Sequence, residues 1–204
     1  MEFLIPLVII LIFSAVLHEL MHGVVADKLG DPTARVMGRL TLNPIPHLDP
    51  VMSVLLPALL VITQSPILFG AAKPVPVNPI HFKDPKKDMA LTALAGPLTN
   101  LMLAVLAAQV LIFIPLDSSI QLIILLTVRV NLMLAIINLI PIPPLDGSKV
   151  FASIMPNDLA RSYLAIEQFG IFILFFLLFF PIGGFSLGQI INNLIIFSMN
   201  LLGI

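Results

Sequence analysis

The sequence has 204 residues, of which 59% are hydrophobic and 10% charged, with a mean hydropathy of +1.11; a soluble domain carries roughly 25% charged residues, so this chain is built for lipid. A net charge of −1 leaves no basic surplus for nucleic acid and no acidic tail for solvation. The absence of cysteine excludes disulfides and thiolate chemistry, so any metal must be held by His, Asp or Glu.

The first apolar run, Phe3 to Ala26, lacks the basic n-region and small-residue cleavage site of a secretory signal and reads as a membrane helix. Ala34 to Pro46 and Ala71 to Pro79 carry prolines and β-branched residues that disfavour helix, so both read as short extended or β segments. Between them, Val51 to Gly70 is long enough to cross a hydrocarbon core of about 30 Å but is interrupted by Pro57 and Pro66. Met89 to Ile114, Ile120 to Ile140 and Leu187 to Ile204 read as further spans, and Phe169 to Ile182 spans with an extension back to Leu164. The expected fold is an all-α polytopic membrane protein, one domain over residues 1–204. It has about six hydrophobic segments, one of them re-entrant or crossing, and extended segments near the active site.

His18-Glu19-Leu20-Met21-His22 closes the first apolar run. Histidines at i and i+4 lie one above the other on a helix, and each can offer a ring nitrogen to one ion. Glu19 beside them can take a proton from a water whose pKa the metal lowers towards ~7, the arrangement for peptide hydrolysis without a covalent intermediate. In a soluble chain the pattern has a bland reading, satisfied histidines at a helix end, but ionisable groups inside a membrane segment are costly and functional by default. A catalytic zinc has three protein ligands and one open position. The third candidate is Asp146, where the prolines of NLIPIPPLDG break the preceding helix; Asp49, in NPIPHLDP, is the rival and otherwise a turn former before Pro50.

HELMH, NLIPIPPLDG from Asn138 to Gly147, and ALAGPLTN from Ala93 to Asn100 together resemble the site-2 protease family of intramembrane zinc metalloproteases, in the expected order and over most of the chain. GRLTLNPIPHLDP and AAKPVPVNP resemble a short, compact branch of it. The resemblance implies one zinc per chain on His18, His22 and Asp146, with Glu19 as base and Asn138 near the scissile carbonyl. It also implies substrates that are transmembrane segments of other proteins, in a prokaryotic cell membrane. The sequence as it stands shows neither the helix that precedes HExxH in many relatives nor the PDZ domain of some, so PDZ-gated selection is not implied. Rival readings are a zinc-binding transporter and a non-proteolytic scaffold; an intact Glu19 beside an open ligand set argues for the protease.

A topological condition follows. If Val51 to Gly70 crossed with no return, His22 and Asp146 would end on opposite sides of the bilayer. Re-entry instead places Lys28, Arg35, Arg39, Lys73, Lys83, Lys86, Lys87, Lys149 and Arg161 on one side, cytosolic by the positive-inside tendency, with the N-terminus outside and the C-terminus inside. Asn100 and Asn138 are helix amides suited to hydrogen-bonding substrate or to bonding between helices. Arg129 is a mid-helix charge that snorkels or pairs, for instance with Glu167. His47 is expected near the active site, and His81 in an ordinary loop.

Overall fold

A computed structural model describes residues 4–55, 59, 62, 72–181, 183–184 and 186–204 of the chain. Among these residues the protein is helical and contains no strand. Helix α1 (Leu4–Lys28) is followed by a turn to Asp31, whose carboxylate accepts from the N–H and the hydroxyl of Thr33. That local bond, next to Pro32, starts a short helix α2 (Thr33–Val36) inside the stretch that its composition marks as extended. A single 3₁₀ turn follows at Ile45–His47, so residues 34–46 are turns rather than a strand. The course of residues 51–70 lies mainly outside the described residues.

Residues 72–78 have no regular secondary structure. Pro74 and Pro76 remove two N–H donors, so the segment cannot sustain a ladder. Its remaining N–H groups find other partners: Lys73 N–H donates to His47 O at 2.8 Å, Val75 N–H to Glu19 Oε2 at 2.8 Å, and Asn78 N–H to Asp31 Oδ2 at 2.6 Å. Arg39, expected as a loop charge, is buried and donates through Nη2 to the carbonyls of Lys73 and Pro74. The segment is a strap lying across the C-terminal half of α1.

Helix α3 (Pro85–Phe113) begins earlier than its apolar run because Asp84 caps it, accepting from Lys87 N–H, with Pro85 as first residue. Helix α4 (Ser118–Leu139) returns, and Pro141 forbids its continuation. Three shorter helices follow: α5 (Asp146–Ile154), α6 (Asn157–Leu164) and α7 (Glu167–Phe179). The last is α8 (Leu187–Leu201).

The helices long and apolar enough to cross a membrane are α1, α3 and α4, with a fourth if α6 and α7, bent by 65°, form one broken span. At 15 residues α8 is about 22 Å long, short of the ~30 Å core, so the expected span there is a shorter helix. Ala104, Ala108, Val128, Leu132, Ile191 and Ile195 form a buried cluster joining α3, α4 and α8. Much of the outer surface is large and apolar, with Ile5 and Phe172 70% and 71% exposed, as expected of an integral membrane protein. The ends of α1 and the approach to α3 lie together, because Asn78 bonds Asp31.

Candidate metal centre

His18 and His22 are both buried, on the face of α1 that meets α3 and α5. Asp146 opens α5 and is also buried. Its Oδ2 lies 3.1 Å from His18 Nε2 and 3.1 Å from His22 Nε2, and the two Nε2 atoms are 3.0 Å apart. Among the described residues this is the group of three His, Asp or Glu side chains able to share an ion. Asp49, the rival ligand, instead closes a turn by accepting from Val51 N–H.

The opposite edges of both rings fix their tautomers. His18 Nδ1–H donates to Asn100 Oδ1 at 2.6 Å, and His22 Nδ1–H donates to the Thr92 carbonyl at 2.7 Å. Both Nε2 atoms then carry lone pairs towards each other and towards a carboxylate. Such a set is repulsive alone and complementary to a cation. Ligands about 2.05 Å from a tetrahedral zinc stand roughly 3.3 Å from one another, close to the spacings here, so the residues fit zinc.

Local sequence explains the convergence. A Cβ on Gly96 would sit 2.5 Å from His22 Nε2 and 2.6 Å from His18 Nε2, so glycine lets α3 pass over the ion position without filling it. Pro97, inside α3, removes the N–H that would otherwise bond the Ala93 carbonyl. Gly147 packs directly against the Leu139 carbonyl, where a side chain would clash; this folds the start of α5 back onto the end of α4 and turns Asp146 inward. Lys149 Nζ stands 3.7 Å from the other Asp146 oxygen.

Asn100 Nδ2 donates to Ser14 O at 3.3 Å and to Asn131 Oδ1 at 2.9 Å. Asn131 Nδ2 donates to Ser14 Oγ and to Thr127 O. The carbonyl partners determine which way each amide faces, so the oxygen of Asn100 must point to His18. Asn100 thus orients the His18 ring. Asn131, 1% exposed, was missed from sequence, though an amide inside an apolar helix is a signal that was available. Asn138 is half-buried and its amide donates to Leu134 O in its own helix. Glu19 is half-buried beside the ligands and held by the strap.

Outside the centre, His47 is 1% exposed and ties the loop together through Thr41 O and Lys73 N–H. Arg129 bonds Asn192 on α8, not Glu167. Asp31 lies beyond the span. Burial opposes its ionisation, but donors from the Thr33 side chain and from the Asn78 and Thr33 main chain outweigh this and hold the carboxyl below its ordinary range.

Residues 115–181 match the profile of peptidase family M50. The chain is 38% identical to a Bacillus subtilis protein named "Putative zinc metalloprotease YwhC", over 91% of this chain and 85% of the relative. It is 32% identical to "Putative zinc metalloprotease Rip2" of Mycobacterium tuberculosis, over 82% of this chain and 64% of that protein. No solved structure matches.

Proposed function

The chain belongs to peptidase family M50, the site-2 protease family of zinc metalloproteases, and from that premise we propose that it is an intramembrane endopeptidase that hydrolyses transmembrane segments of other membrane proteins. The observation that carries this reading is the meeting of His18, His22 and Asp146 around one point, with Glu19 adjacent. His18 lies ten residues before Lys28, about 15 Å inside the end of α1, so the cut bond is at membrane depth.

His18 Nε2, His22 Nε2 and Asp146 Oδ2 hold the ion in this proposal. When bound, zinc supplies a Lewis acid for the scissile carbonyl and lowers the pKa of water. Glu19 accepts the proton of the attacking water and returns it to the leaving amine. Val75 N–H, bonded to one Glu19 oxygen, keeps the other free to face the water. Asn100 and Asn131 keep His18 in its ligating tautomer. Asn138, given by its motif, steadies the substrate carbonyl.

A helical substrate hides its carbonyls, so the cleaved stretch must first unwind. The strap lies beside Glu19, where that stretch has to be admitted, but its Lys73, Val75 and Asn78 N–H groups are already bonded within the protein, so it does not pair with the substrate as a strand. The whole acts as one membrane-embedded domain, with residues 51–70 re-entering and the basic loops cytosolic. Cysteines placed at Thr41 or Lys73 will then react with a water-soluble thiol reagent from the cytosolic side; labelling from the other side alone contradicts this orientation.

The deciding experiment compares wild type with Glu19→Gln for metal content and for cleavage of a model transmembrane substrate. Retained zinc with abolished cleavage supports the protease. Retained ion flux in the variant would instead mark a transporter.

A further inference from the structure

Arg129 stands eleven residues after Ser118 and ten before Leu139 in α4, about 16 and 15 Å from the two helix ends at 1.5 Å per residue. Half of the ~30 Å hydrocarbon core separates it from either interface, farther than an arginine side chain reaches. Snorkelling therefore does not satisfy it. Its neighbours Val128 and Val130 are buried, whereas Arg129 is exposed, as are Gln189, Asn192 and Asn193 on α8. On α8, Gln189 lies three and four residues before Asn192 and Asn193, so the three amides share one side.

A guanidinium carries five N–H donors, and among the described residues Arg129 makes one hydrogen bond, to Asn192 Oδ1 at 3.2 Å. In water the remaining donors would be hydrated. Facing lipid they have no acceptor, and such a charge is costly unless something pairs with it.

We propose that Arg129, with Gln189, Asn192 and Asn193, is a docking surface for a transmembrane helix of another protein that carries an Asp or Glu near its midpoint. The planar fork matches a carboxylate through two parallel hydrogen bonds, and the low dielectric strengthens the pair. The three amides add donors and acceptors for the flanking backbone or side chains. A second copy of this chain is a poor fit. Of its described carboxylates, Asp117, Asp158 and Glu167 sit at helix starts, Asp27 in the last turn of α1 and Asp31 just beyond it, Asp84 and Asp88 at the start of α3 and Asp49 in a turn. Glu19 is bonded to the strap and Asp146 meets the two histidines. Arg129 is about 200° around α4 from Asn131, which points inward to Ser14 and Asn100. A helix seated on this face is thus held beside the metal centre at a similar depth, outside the cleft. The proposal requires the chain to sit in a bilayer and does not depend on cleavage.

The test is binding of labelled synthetic transmembrane peptides to the full chain in nanodiscs of zwitterionic lipid, read by energy transfer. A peptide with a midpoint Asp is expected to bind about tenfold more tightly than the same peptide with Leu there, or with the Asp moved to one end. Arg129→Gln should erase the preference, and Arg129→Lys should keep part of it. Equal binding of the Asp and Leu peptides to wild type overturns the proposal without relying on any protein variant. So does a preference that survives Arg129→Gln, one that appears only with anionic lipid, or Arg129-dependent self-association without peptide.

Discussion

His18 is held by the buried amide of Asn100 on α3, itself braced by Asn131 on α4, and His22 by the Thr92 carbonyl inside α3, whereas Glu19, next to His18 in sequence, is held by a main-chain N–H of an irregular segment. On the first side, Asn100 and Asn131 are 0% and 1% exposed, and every amide hydrogen bond has a fixed sense. On the second side, the strap depends on Asp31, His47 and Arg39, all of them in or beside turns. Helices make a stiff frame for ligands, which must converge to within tenths of an ångström. A strap of irregular backbone can shift more readily than a packed helix. The division predicts that metal affinity and catalytic rate can be damaged separately.

The largest effect is expected from Asp146→Ala, which should take zinc content from one per chain to near zero by mass spectrometry and abolish cleavage. Gly96→Ala places a methyl group against both Nε2 atoms and should lower zinc affinity by about 100-fold in chelator competition, with helicity by circular dichroism unchanged. Val75→Pro removes the N–H that holds Glu19. It should reduce kcat by roughly 100-fold through misplacement of the base while zinc content stays at the wild-type level; zinc loss in this variant would break the separation of the two sides. Asn131→Leu sharpens the contrast from the other direction. It touches no ligand, yet by freeing Asn100 it should weaken zinc about tenfold, and the histidine ¹⁵N shifts should show a mixed tautomer at His18.

The smallest effect concerns the strap's far anchor. Asp31→Asn should lower Tm by a few degrees at pH 7, about 1 kcal/mol. Because the native carboxyl is held below its ordinary value, its stabilisation is present above the unfolded-state pKa of about 3.9 and is lost as pH falls through the native one. The gap between variant and wild type should therefore close towards pH 2.

The meeting of His18, His22 and Asp146 was legible because it follows from local spacing. His18 and His22 sit one turn apart, and the prolines before Asp146 force a break that a carboxylate can exploit. The choice between Asp146 and Asp49 was open on residues alone and depended on which loop folds back, a matter of Gly147 packing on Leu139. Three apolar runs became the helices long enough to span, with Asp84 capping lengthening α3, whereas the run beginning at Leu187 gave a helix one turn or more too short. The segment after Asp31 was misjudged because two hydrogen bonds from Thr33 to one side chain outweighed β-branched composition. Asn131 went unnoticed because its importance is relayed through a residue on another helix, and no sequence window contains that relation.

The ligands of the centre are separated by 128 and 124 positions along the chain. During synthesis the segment HELMH is complete long before Asp146 has been made, so a nascent chain holds two ligands and the acidic residue without the third. An ion that joins α1 to α5 is also a cross-link closing most of the polypeptide into a ring, and it favours the assembled state over any partly inserted one. The meeting of the three side chains thus waits for the start of α5 to turn back on α4, and α8 has still to be added to the core it shares with α3 and α4.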